Sequence, residues 1–155
     1  MVSLSRRVIV DRTPAEVFGL VSDPTRAREF FVGLTRWEPR SKKRGGVGTR
    51  YRVLTRVGSI EAGGTLAVTE WKPSEILAWE SEDGIDQQGR WRLREASGGG
   101  TELTLEIEFG LTGPGAWLAE RLAARVVGRN MTATLLAVRR ILEFKRPPGR
   151  ASAPG

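Results

Sequence analysis

VIVDRTPAEVFGLVSDP, residues 8–24, changes its periodicity twice in one short run. It opens in the tail of an alternating segment, SRRVIVDR (5–12), which reads as a strand. TPAE then supplies the chemistry of a helix start: Thr13 as N-cap, Pro14 at the first helical position and Glu16 closing a capping box. The helix is short. At Ser22-Asp23-Pro24 the chain stops and restarts, with Asp23 as a second N-cap and Pro24 as the next first helical residue. That second helix ends near Phe30 and Phe31. A strand followed by two short tandem helices is the frame on which the rest is read.

Downstream, alternation dominates. GTRYRVLTRV (48–57) and IEAGGTLAVTEW (60–71) are joined by Gly58-Ser59, a good two-residue hairpin turn. This register sets Arg56 opposite Glu61, and Tyr51, Val53, Thr55 and Val57 opposite Leu66, Gly64, Ala62 and Ile60. KPSE turns the chain into ILAWES (76–81). GRWRLREA (89–96) and TELTLEIEFGL (101–111) pair through a Gly-rich turn, with Arg94 opposite Glu102, Arg90 opposite Glu106 and Leu93 opposite Leu103. Pairing Trp79 with Trp91 sets Glu80 against Arg90. Every register keeps hydrophobics on one face and opposite charges on the other.

The C-terminal third reads as one long helix. At 100° per residue Arg121, Arg125, Arg129, Arg139, Arg140 and Glu143 share one arc. The opposite arc carries Ala119, Ala123, Val127, Asn130, Thr134, Val138 and Ile141. Asn130 and Thr134 thus sit where the helix should be most apolar, and burying an unpartnered amide costs roughly 1–3 kcal/mol. That face needs something other than packed core to look at, although Thr134 could instead bond a carbonyl one turn back.

Composition prunes the chemistry. The 155 residues suffice for one domain with a core, and 39% hydrophobic content is ordinary. There is no cysteine and no histidine. Disulfides, thiol or imidazole catalysis and His- or Cys-ligated metals are therefore excluded, and neither a metal nor a cofactor is expected. No apolar run approaches a membrane span and MVSLSRRVIV lacks a signal-peptide profile, so a cytoplasmic protein is expected. The net charge of +7 is mostly arginine. Arg56, Arg90 and Arg94 have glutamates across their strands, which argues against nucleic acid. The uncompensated charge falls at Arg36, Arg40, Lys42, Lys43 and Arg44 and on the outer arc of the helix, a patch suited to anionic membrane or a protein partner. The tail KRPPGRASAPG (145–155) reads as disordered, which leaves 1–144 as one domain.

The order of elements, with VIVDRTPAEVFGLVSDP first and VTEWKPSEILAW in the middle, resembles the polyketide cyclase/dehydrase family of the START-like (SRPBCC, helix-grip) superfamily. The residues carrying the resemblance are Asp11, Glu16, Val17, Phe18 and Asp23, then Gly48, Thr49, Arg50 and Tyr51, then Val68, Thr69, Glu70, Pro73 and Leu77. It spans roughly residues 4–144. These are strand, cap and turn residues, specific for a fold rather than for a reaction.

The resemblance implies an α+β helix-grip fold: a curved antiparallel sheet of about seven strands wrapped round the long helix, with an internal cavity between them. Asn130 and Thr134 would face that cavity. The implied ligand-binding wall is Tyr51, Thr55, Leu66, Trp79, Gln87, Trp91, Leu105, Phe109, Val127, Asn130 and Thr134, and Ala62, Gly64, Gly89, Ala119 and Ala123 would leave volume unfilled. Tyr51 could equally be a core residue bonded to backbone. Glu70 falls on inward parity near a strand end. Trp117 is a gate or, preferably, an anchor for the helix start. The expected function is binding or carriage of a lipid, acyl or aromatic molecule. The alternative is an aromatase/cyclase-type enzyme promoting aldol cyclisation and dehydration, with Tyr51, Glu70 and Asn130 as candidate catalytic groups. A surface role for the basic patch is the weaker third.

Overall fold

The structure is a computed structural model that describes residues 1–144; the tail expected to be disordered lies outside them. Strand β1 (Val2–Val10) leads into α1 (Pro14–Val21), a 3-10 turn (Pro24–Arg26) and α2 (Ala27–Phe30). Both caps form as their residues dictate. Thr13 Oγ1 accepts from the Glu16 amide at 3.2 Å while Glu16 reaches back to the Thr13 amide. Asp23 Oδ1 accepts from the Thr25 amide at 2.9 Å.

Six further strands follow: β2 (Leu34–Pro39), β3 (Arg50–Val57), β4 (Ile60–Lys72), β5 (Ile76–Ser81), β6 (Asp86–Glu95) and β7 (Thr101–Gly110). With β1 they form one antiparallel sheet in the order β1-β7-β6-β5-β4-β3-β2, and the long α3 (Ala116–Phe144) is the last element of the described residues. The β3–β4 and β6–β7 registers are those the side chains specify. Strand β2 has no clean alternation in sequence, because its pairing with β3 shifts between Leu34 and Arg36.

One register differs from expectation by two residues. Trp79 lies opposite Gly89, Leu77 opposite Trp91, Ala78 opposite Arg90 and Glu80 opposite Gln88. A two-residue slip preserves facing, so side-chain pattern alone could not exclude it. Bulk decides. Gly89 gives the Trp79 indole a place to lie, since a Cβ there would overlap its ring. On the other face Ala78 is small enough for Arg90 to reach across it to Glu70, at 3.1 Å.

Glu70 is therefore not inward. The β4–β5 pairing shifts between Val68 and Glu70, and the extra residue, Thr69, reverses the parity. Glu70 turns to the outer face, and Trp71 turns inward against Phe18 with ring centroids 5.3 Å apart.

The packed core occupies one end of the grip. Val17 of α1 shares one buried cluster with Val10, Trp91, Leu103 and Leu105 and with Leu135, Val138 and Ile141 from the C-terminal half of α3. The N-terminal half of α3 runs beside β1, with Glu120 near Met1 and Gly128 under Arg6, and its inner residues face a cavity instead.

Candidate ligand cavity

Between the concave face of the sheet and residues 119–134 of α3 lies a cavity of about 560 Å³. This volume is in the range of small-molecule sites. Tyr51, Val53 and Thr55 of β3 line it, with Leu66 and Val68 of β4, Trp79 of β5, Trp91 of β6 and Leu105, Ile107 and Phe109 of β7. Ala119, Ala123, Val127, Asn130 and Thr134 come from the helix, and Gln87 stands at the rim. All eleven residues singled out for the wall lie on it. Leu93 and Leu103 face the same way but are consumed by core packing.

Strand pleat, helix spacing and a glycine create the polar points. Asn130 is part-buried on the cavity wall and makes no hydrogen bond with the described residues. Its Nδ2 lies 2.8 Å from where a Cβ on Gly33 would stand, so the glycine makes room for the amide. Thr134 is buried and its Oγ1 accepts from the Val32 amide at 3.0 Å, and it donates to no carbonyl of its own helix. It pegs the segment after α2 to α3 while lining the cavity.

Tyr51 stacks on Trp37 with centroids 4.6 Å apart and has no hydrogen-bond partner among the described residues, so the backbone-bonded alternative does not hold. Burial holds its phenol above the usual tyrosine value, with nearby Arg44 opposing and Asp23 adding. Trp37 and Trp91 each bury an indole N–H with no acceptor. Neither N–H is exposed to the cavity, so the unengaged polar groups it meets are the Tyr51 phenol and Asn130 amide; among the described residues its one carboxylate is Asp23, whose Oδ1 is held by Thr25.

Sequence reasoning missed the aromatic side of the wall. Phe31 lines the cavity with centroids 5.7 Å from Trp91, 6.3 Å from Trp37 and 6.4 Å from Trp79. The signal was there: a Phe pair ending a helix too short to bury it. Trp37 was hidden by the irregular β2, and Trp71 by the bulge.

Other expectations need correction. Gly64 and Gly89 do not leave free volume. A Cβ on Gly64 would overlap the Asp83 carbonyl, and Gly89 is covered by Trp79. Glu70 is ion-paired outside the cavity. Trp117 is 65% exposed, so it neither anchors nor gates. Within the 36–44 patch, Arg36 and Arg40 flank Glu38 at 3.4 and 3.1 Å, while Arg44 lines the cavity. Val57, Gly58 and Ile60 at the β3–β4 turn, Ile85 and Gln87 at the start of β6, and Leu111 after β7 also line the cavity. Among the described residues no group of His, Cys, Asp or Glu could hold a metal, and no helix is long and apolar enough to cross a membrane.

A seven-stranded antiparallel sheet gripping a C-terminal helix around an apolar cavity is the START-like helix-grip fold. The sequence matches the profile of the family described as polyketide cyclase/dehydrase and lipid transport over residues 1–143, and the chain belongs to that family. No curated protein matches the sequence. Among solved structures it is similar to TTHA0849 from Thermus thermophilus, with TM-score 0.81, 17% identity and 94% and 100% of the two chains covered. It is similar to the Zhui aromatase/cyclase from a Streptomyces species, with TM-score 0.80, 21% identity and 96% and 98% covered. A START superfamily protein from Mycobacterium smegmatis matches with TM-score 0.70, 15% identity and 93% and 99% covered. At these identities the likeness is one of fold.

Proposed function

We propose that this protein binds and carries a hydrophobic small molecule of acyl or aromatic character in its cavity. The observation that carries this reading is a cavity of about 560 Å³ whose wall is aromatic and aliphatic and whose one carboxylate is already engaged. Apolar burial drives such a ligand in. The unengaged Tyr51 phenol and Asn130 amide suit carbonyl or carboxylate oxygens on it. A cytoplasmic, cofactor-free carrier remains the reading of the sequence.

A second reading is favoured by the Tyr51 phenol and Asn130 amide facing one cavity and by the family's description. In it the wall folds a poly-keto chain so that proximity promotes aldol closure, and Tyr51 and Asn130 polarise carbonyls. Glu70 cannot be its base from the outer face.

Native mass spectrometry of freshly purified protein, with solvent extraction of bound material, tests the reading. A discrete acyl or aromatic adduct is expected. Bare protein that also fails to quench tryptophan fluorescence with acyl and aromatic probes sinks it. Turnover of a poly-keto substrate that is lost in Tyr51→Phe, with binding retained, replaces it with the second reading.

A further inference from the structure

The face of α3 turned away from the cavity is not an ordinary solvated face. Trp117 is 65% exposed, Leu122 58%, Leu118 49% and Leu136 44%. At 100° per residue these four fall within about 140° of arc, together with Arg121, Arg125, Arg129, Arg139 and Arg140. None of the five arginines has a carboxylate partner among the described residues. The strand arginines, by contrast, mostly face glutamates, as Arg50 does Glu82 and Arg92 does Glu106. The same arc holds a shallow depression of about 370 Å³ into which Arg6, Arg125 and Arg129 converge beside Gly128. The Arg6 guanidinium lies close over that glycine, 2.7 Å from where a Cβ would stand.

We propose that this face of α3 docks on the surface of an anionic phospholipid bilayer. Exposed apolar side chains interleaved with unpaired arginines, with no acid on the arc before Glu143, form the pattern of an interfacial helix. Trp117 and the leucines enter the headgroup boundary, the arginines meet lipid phosphates, and the Arg6–Arg125–Arg129 depression receives one phosphate. Charge argues against a second copy of this chain. A two-fold interface here would set the arginine rows against each other. The surface stands independently of what the cavity holds, although Leu122 borders both.

Cosedimentation of the full chain with vesicles tests this. Binding is expected to equimolar phosphatidylcholine and phosphatidylglycerol, to weaken with salt, and to be absent with phosphatidylcholine alone. Each arginine charge removed is expected to cut partitioning about fivefold. Arg125→Glu with Arg129→Glu should therefore abolish detectable binding, while Lys42→Glu with Lys43→Glu leaves most of it. Brominated lipid should quench tryptophan emission, and Trp117→Phe should keep binding but lose that quench. Unchanged urea midpoints and probe binding in the cavity control for folding. Vesicle binding that ignores phosphatidylglycerol, or survives the Arg125/Arg129 reversal, overturns the proposal. So does a dimer in solution that Trp117→Ser dissolves.

Discussion

Three side chains on the cavity wall carry polar atoms in physically different situations. Thr134 is engaged: its Oγ1 is the acceptor for Val32 N–H. Thr134→Val strands that amide and should cost about 1–3 kcal/mol in urea unfolding. Asn130 is unengaged, so Asn130→Ala should leave the urea midpoint nearly unchanged and weaken binding of oxygenated probes instead. Equal stability losses in both variants would show that Asn130 has a structural partner. Tyr51 is the chain's sole tyrosine, which makes its titration readable by near-ultraviolet absorbance. Burial raises its pKa above 10.0, so the native state keeps a proton that the unfolded chain has lost. The unfolded state then binds fewer protons, and stability falls as pH rises from 10.0 towards the native value. A filled cavity should raise the value further. Titration at the ordinary pH would mean that water reaches the phenol freely.

The elements position these atoms through two glycines with opposite sensitivities. Gly64 lies against the Asp83 carbonyl, a backbone group that cannot step aside. Gly64→Ala should therefore destabilise the chain by about 1–3 kcal/mol. Gly89 lies against the Trp79 indole, which can swing into the cavity. Gly89→Ala should spare much of the stability, change tryptophan emission and reduce ligand affinity. The reverse ranking would place Trp79 in packed core. These contacts mark how far the sequence could be read. Thr13, Pro14 and Glu16 announce α1 because capping is local, and Arg56–Glu61 and Leu93–Leu103 announce their hairpins because turns fix register. Strand β5 meets β6 across an irregular loop, so nothing local distinguishes Trp91 from Gly89 as partner of Trp79. The extra residue at Thr69 is likewise silent in sequence, yet it exchanges the facing of Glu70 and Trp71 and removes a candidate base from the site. The eleven wall residues were legible because pleat and helix period place them, whereas Phe31 and Trp37 depend on irregular backbone.

At the scale of the molecule, one helix serves two environments. The C-terminal half of α3 completes the core through Leu135, Val138 and Ile141. Its N-terminal half lies beside β1 and over a cavity, and the residues α3 buries begin only at Gly128. Stability should therefore be uneven along α3, with residues 116–130 opening more readily than 135–142. Ligand binding joins the two regimes, because a molecule in the cavity contacts both the N-terminal half and the sheet. A ligand that binds the folded chain alone, at about a hundredfold above its Kd, adds about 2.7 kcal/mol. For a chain of this size each kcal/mol moves Tm by about 2–4 °C, so a shift of roughly 5–11 °C is expected. Calorimetric scans with graded concentrations of fatty-acid and polycyclic aromatic probes measure it. Backbone hydrogen exchange on the same samples should slow most between 116 and 130. A Tm rise without that local slowing would place the probe outside the grip, and no rise with any probe would leave the wall without a ligand of this class.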